Sequence, residues 1–207
     1  MAIKVEFFHD VICSFCFPMS WRMRQIASAM PDIEIVHRSF ALVHEPRDFN
    51  SMFDSHHAAK EEILKHWEHA NINDDGHRFN IDGMRKTDFL FPYSMPALIA
   101  AKAAYLVGGN NSYWDIFDAL QEGLFVKNLN ISDTAVIEKI VQSTNINFAE
   151  WQEFFNSPQS LLGVEEDLSL ANSYGITSAP TLVINKKYVI VGAQKLETIM
   201  QGLNKAK

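Results

Sequence analysis

Cysteine is scarce in this sequence: two residues among 207, Cys13 and Cys16, three positions apart. So few thiols exclude a framework of structural disulfides. None is needed, because a chain of this length buries roughly 70% of its unfolded surface on folding. Basic residues are in deficit as well, with 18 Lys and Arg against 25 Asp and Glu and a net charge of −7. Short pairs such as Arg85-Lys86 and Lys186-Lys187 do not make the basic patch that nucleic acid or an anionic membrane would require. Long apolar runs are missing too. The stretch from Ala97 to Val107 is interrupted by Lys102, and it falls well short of the roughly 20 residues of a spanning helix. The opening MAIKVEFFHD is broken by Lys4, Glu6, His9 and Asp10, leaving no apolar core for a signal peptide. These absences predict a cytoplasmic protein with neither nucleic acid nor membrane as partner. In that compartment a close cysteine pair is more often catalytic or metal-binding than structural.

What is present is ordinary globular composition, 47% apolar and 21% charged. The length suits one domain, or one domain carrying a large insertion. IKVEFF (3–8) reads as a strand that runs directly into the Cys pair. Beyond the pair, Met19, Met23, Ile26 and Met30 recur at helical spacing as far as Pro31. IEIVHRSF (33–40) reads as a second strand, so the first forty residues form a βαβ opening. From Met52 to Leu162 the patterns are helical: EEILKHWEHA, MPALIAAKAAYLV, SYWDIFDALQEGLF, DTAVIEKIVQ and AEWQEFF. Ser132-Asp133 and the Asn147/Glu150 pair are helix starts within that block, and DDGHRFNIDG (74–83) reads as a loop. A helix over Glu165–Tyr174 stops at Gly175. The strands PTLVIN (180–185) and KYVIVG (187–192) then form a hairpin around Asn185-Lys186, and a helix over Lys195–Asn204 closes the chain. The ends are therefore β/α, and the centre is a helical block.

Three uses of the C-x-x-C pair compete. Separated by two residues at the junction of a strand and a helix, the thiols come within disulfide reach. The unpaired N–H groups and dipole of the helix N-terminus would stabilise a thiolate at Cys13, lowering its pKa into the range of about 3.5–7.5. Cys13 would then attack a disulfide, and Cys16, one turn deeper, would resolve the mixed disulfide. Such a pair beside a βαβ pattern is a redox signature. A structural zinc would need two more ligands. His9 is near, but no second C-x-x-C or paired-histidine motif follows, and Glu62, His66 and His69 read as a solvated helix face. No metal is expected. An inert buried pair is the third use.

Further along, TSAPTLVIN places Pro180 immediately before an apolar strand, which by itself marks only the start of an edge strand. FFHDVICSFC after the first strand, GITSAPTLVIN before the hairpin and VGAQ (191–194) leading into the last helix resemble the DsbA-like branch of the thioredoxin superfamily. Within it the sequence is similar to the FrnE-type proteins that lack a signal peptide. The resemblance implies an α/β thioredoxin fold split by a large all-helical insertion. The thioredoxin-like part would cover residues 1–45 and 163–207, and the insertion residues 46–162. It also implies that Cys13 attacks, that Cys16 resolves, and that Pro180 is a cis-proline facing the pair. Ser14, Phe15, Ala179 and Pro180 would then contact substrate, with the Ala179 backbone free to pair with an extended peptide or glutathione. Many relatives carry proline and then an aromatic or histidine where this chain has Ser14-Phe15. The missing histidine predicts a pair less oxidising than that of periplasmic DsbA. Pro18, beyond the expected first helical turn, predicts a kink. His9 and Asp10 would tune the thiol or shuttle protons, or else cap the next helix. Glu6 is a candidate buried acid beneath the disulfide.

The function expected is thiol–disulfide oxidoreduction on protein or small-molecule thiols and disulfides. No tightly bound cofactor is expected, glutathione is a possible redox partner, and the assembly would be a monomer or homodimer. A glutathione-dependent transferase or isomerase, of the kappa or 2-hydroxychromene-2-carboxylate isomerase type, is the alternative. Those relatives usually carry serine at the first position of the pair. A third reading is a chaperone-like binder using Met19, Met23 and the aromatic-rich block as an apolar surface.

Overall fold

A computed structural model describes residues 3–206. The chain opens with strand β1 (Ile3–His9), helix α1 (Cys16–Ala29) and strand β2 (Ile33–Ser39). Helices α2 (Phe49–Met52), α3 (His56–Asn73), α4 (Ile81–Lys86), α5 (Ser94–Phe125), α6 (Thr134–Gln142), α7 (Phe148–Phe155) and α8 (Pro158–Ser173) follow. Strands β3 (Thr181–Ile184) and β4 (Tyr188–Val191) and helix α9 (Leu196–Lys205) complete it. The described residues form a sheet of order β2-β1-β3-β4. β1 runs parallel to β2, with Val5 opposite Ile35, and antiparallel to β3, with Phe7 opposite Leu182. This is the thioredoxin-like arrangement, with all-helical structure between β2 and β3.

Two apolar cores follow from the side-chain alternation. Val5, Phe7 and Ile35 on one face of the sheet pack against Met19, Met23 and Ile26 of α1 and against Ile199 and Leu203 of α9. Burial of these methionines removes the apolar surface that a chaperone-like reading requires. The opposite face places Phe8 and Val183 against Ala171 of α8. The larger core lies among the helices and includes Trp67, Phe79, Phe125 and Trp151. It reaches into the βα junction, because Val11, Ile12, Cys13, Cys16 and Phe17 belong to it. Helix α1 thus packs its first turn on the helical block and its remainder on the sheet.

Several local expectations shift. Helix α8 starts at Pro158, seven residues before Glu165, after the N-cap Ser157; at this first helical position the missing proline N–H is harmless. The loop read over 74–83 ends early, because the Asn80 side chain caps α4 by accepting the Gly83 N–H at 3.0 Å. Pro18 lies within the first turn of α1, not beyond it, so it removes no intrahelical hydrogen bond, and α1 runs on without a kink. Asn147 and Asp133 cap α7 and α6 as read. Asn185 and Lys186, both at positive φ, form the tight hairpin turn.

Candidate active site

The Cys pair sits in a turn that leads into α1. The Cys13 N–H donates to the Asp10 carbonyl at 3.3 Å, and the Cys16 N–H to the Cys13 carbonyl at 3.0 Å. These i→i+3 bonds wind residues 10–16 more tightly than an α-helix. Cys16 is therefore the first helical residue and Cys13 precedes the helix rather than starting it. Both are free thiols. Cys13 is 5% exposed and Cys16 is wholly enclosed. Burial, followed by the neighbouring Cys13, pushes the Cys16 thiol well above its usual pKa.

Cys13 opens on a groove of about 250 Å³. Ser14 and Phe15 line it from the turn and Ala179 from the loop before β3. Its walls are Leu42 and Phe49, with Phe53, Trp67 and Phe91 from the helical block, and His66 of α3 also lines it. The Cys13 Sγ donates to the Ala179 carbonyl at 3.4 Å. The Ala179–Pro180 peptide bond is cis. That carbonyl is thus engaged by the thiol rather than free. The aromatic wall was not legible beforehand: residues 49, 53, 67 and 91 share no periodicity and meet only through tertiary packing.

Asp10 is enclosed and organises the turn. One carboxylate oxygen accepts from the Leu42 N–H at 2.7 Å and the Ser94 hydroxyl at 2.6 Å, and the other from the Ile12 N–H at 3.2 Å. Burial outweighs these donors and raises its pKa to about 6. Gln121 of α5 supports the same turn, donating to the Asp10 and Val11 carbonyls at 3.4 and 3.3 Å. Neither His9 nor Asp10 caps α1, whose N-cap is Phe15. His9 turns inward, stacked on Phe7 with ring centroids 4.3 Å apart and hydrogen-bonded to His37 at 3.2 Å. Burial drives the pKa of His9 down, and that of His37 to about 3.

Glu6 is buried but lies in another network, not beneath the pair. It accepts from Arg38 at 2.8 Å and from the Tyr174 hydroxyl at 3.1 Å. Arg38 also bonds Asp167 of α8, which pairs with Lys102 at 2.5 Å. His66 and His69 are on the exposed face of α3. Among the described residues no group of three or more His, Cys, Asp or Glu side chains converges as a metal site. No described helix is long and apolar enough to cross a membrane.

Known proteins of the same architecture give this geometry a context. The chain is similar to a candidate protein disulfide isomerase from Nitrosomonas europaea, with a TM-score of 0.78, 18% identity and 99% and 97% of the two chains covered. It is also similar to the cytosolic disulfide reductase DsbM from Pseudomonas aeruginosa, with a TM-score of 0.73, 15% identity and coverage of 99% and 100%. The same DsbM is known with GSH, at a TM-score of 0.73, 14% identity and coverage of 98% and 99%. At these identities the likeness shows the fold. A curated relative, the ClpXP adapter protein SpxH of Bacillus subtilis, is 30% identical over 93 residues, which are 44% of this chain. The match spans 31% of that relative's own length. The model of the DSBA-like thioredoxin domain matches residues 4–204, from the start of β1 into α9, and the chain belongs to that family.

Proposed function

We propose that the protein is a thiol–disulfide oxidoreductase in which Cys13 attacks and Cys16 resolves. The observation that carries this reading is the asymmetry of the pair: Cys13 lines an open groove, whereas Cys16 is sealed behind it. The Cys13 thiolate attacks one sulfur of a substrate disulfide, and the other sulfur leaves as a thiolate and takes up a proton. Cys16, deprotonated, then attacks the Cys13 sulfur and releases the first substrate sulfur, so two electrons pass to the substrate. Run backwards, the same steps oxidise a dithiol. Ionisation of Cys13 removes the proton held by the Ala179 carbonyl, and that carbonyl becomes available to an extended substrate chain. Ser14, Phe15 and Pro180 complete the contact surface.

Protein disulfides and glutathione are both partners in this reading, which is supported for glutathione by the GSH-bound form of DsbM. The cytosolic setting of DsbM supports a cytoplasmic one for this protein, and placement in the FrnE-type branch rests on the sequence motifs around the Cys pair and Pro180. A monomer or homodimer suffices, since both thiols come from one chain. The redox-active pair is tested by equilibrating the protein in glutathione buffers and trapping free thiols. A reversible Cys13–Cys16 couple is expected, more reducing than the roughly −120 mV of DsbA. A pair that stays reduced in an oxidising buffer would overturn the reading in favour of the glutathione-dependent transferase or isomerase.

A further inference from the structure

Strand β4 is an edge of the sheet, joined to β3 on one side and, among the described residues, to no strand on the other. The Gly192 N–H donates to the Pro180 carbonyl at 2.8 Å, which makes residues 180 and 192 a hydrogen-bonded pair of the antiparallel ladder. Such pairs alternate with unbonded ones. Ile190 opposite Leu182 is therefore bonded, whereas Val189 opposite Val183 and Val191 opposite Thr181 are not. The backbone groups of Val189 and Val191 accordingly point to the free edge. There the Gln194 side chain donates to the Val191 carbonyl at 2.8 Å. The Val189 N–H and C=O and the Val191 N–H remain for an incoming chain.

The side chains at this edge are as open as its backbone. One face of β4 is covered, since Ile190 packs into the core shared with α9. On the other face α8 shields Phe8 and Val183 through Ala171 and then ends at Ser173. Val189 and Val191 stay 58% and 53% exposed. They line a hollow of about 430 Å³ together with Val183 and Ile176. The charged side chains of this hollow are Lys186 and Lys187 of the hairpin, and no acid lines it. The chain as a whole carries a net charge of −7, so the two lysines reverse its sign locally. Ser178 also lines the hollow, one backbone residue from Ala179, which lines the Cys13 groove.

A β-branched edge with unpaired backbone groups is what an added strand recognises. The lysines select which strand. A second copy of this edge would bring the same two lysines and no acid, and lysine at an edge guards against such self-pairing. Carboxylates on the incoming strand would complement both. We propose that β4 docks an extended acidic segment of a partner polypeptide by strand addition. Alternate apolar residues of that segment pack on Val189 and Val191, and its carboxylates meet Lys186 and Lys187. The docked strand runs between the hairpin and the Ala179–Pro180 loop, beside the groove at Cys13. It takes no part in thiol exchange, so it stands or falls separately from the redox reading.

The probe is the peptide Ac-Glu-Glu-Val-Thr-Val-Thr-Val-Glu-Glu-NH2, acidic at both ends so that either strand direction is served, and free of cysteine. Titrated into isotope-labelled reduced protein, it is expected to shift the backbone amide NMR signals of Val189 and Val191 saturably. Val189→Lys, at an exposed position that leaves the core intact, should abolish saturation. Lys186→Glu combined with Lys187→Glu should weaken binding about tenfold, and added salt should weaken binding to the wild type. Absence of these shifts overturns the proposal. Equal binding of a peptide with lysine in place of every glutamate overturns it too, because the lysines would then select nothing. Shifts of the same amides on raising protein concentration alone, with dimers in sedimentation, would assign the edge to a second copy and overturn it as well.

Discussion

Asp10 shows how one residue serves the site through its hydrogen bonds. Its carboxylate ties the turn to Leu42 and Ser94, so the pair is held against the helical block. Ionisation of this enclosed acid is nevertheless resisted, with the pKa raised from 3.8 to about 6. A raised acid pKa contributes stability that is complete below the unfolded value and is lost as pH rises through the folded one. Two units correspond to about 3 kcal/mol, gained on acidification from pH 6 to pH 4. His9 and His37 act with the opposite sign: their lowered pKa values cost stability as pH falls below about 6.5. Subtracting the Asp10→Asn stability curve from that of the wild type, by urea unfolding at several pH values, isolates the acid. The difference should slope by about 3 kcal/mol between pH 4 and pH 6. A flat difference would mean that Asp10 is charged at its ordinary pKa. The sequence flagged His9 and Asp10 by nearness to the thiols alone. Their partners Ser94 and His37 could not be read from it, since they arrive from remote segments.

Among the elements, α5 carries most of the architecture. Its two halves read as separate patterns, and they meet at Gly108 and Gly109, where the backbone leaves helical geometry. Gly109 has φ 69° and ψ −156°, a region essentially reserved for glycine. The break lets the first half anchor at Ser94 and pack with Trp151, whose indole donates to the Ala100 carbonyl at 2.9 Å. The second half delivers Tyr113, Phe117 and Gln121 to the end of β1. Gly109→Ala should cost about 1–3 kcal/mol, visible as a fall of several degrees in Tm. An unchanged Tm would show that the break relaxes freely. The two periods were legible in the sequence as separate helical patterns. The break at Gly108 and Gly109 keeps them as two helical segments, as read; how the two pack around the site was not legible.

Across the whole molecule, the enclosed Arg22 of α1 joins the helical block to the far end of the sheet. It donates to Asp75 at 2.9 and 3.0 Å and to the Asn73 side chain at 2.9 Å. It also bonds the carbonyls of Asn73, Ala193 and Gln194. Arg22→Met keeps the apolar stem but strands these acceptors, at a cost of about 1–3 kcal/mol. Arg24→Met, at a more exposed pair with Asp115 and Asp118, should cost no more than about 1 kcal/mol. Urea unfolding of the two variants tests the contrast, and equal losses would deny Arg22 its special place.

The sequence by itself determined the β/α ends, the helical centre and the Cys pair between β1 and α1. These are local patterns: alternation, helical periodicity, caps and a two-residue spacing, each legible within one segment. Tertiary structure alone decided that Cys13 lines the groove while Cys16 is enclosed, that Glu6 serves a network with Arg38, and that Asp10 is held by Ser94. It also assembled the aromatic groove and the His9–His37 cluster. Those features depend on segments far apart in the chain being packed together, and on burial, which sets both access and pKa. No local pattern encodes either one.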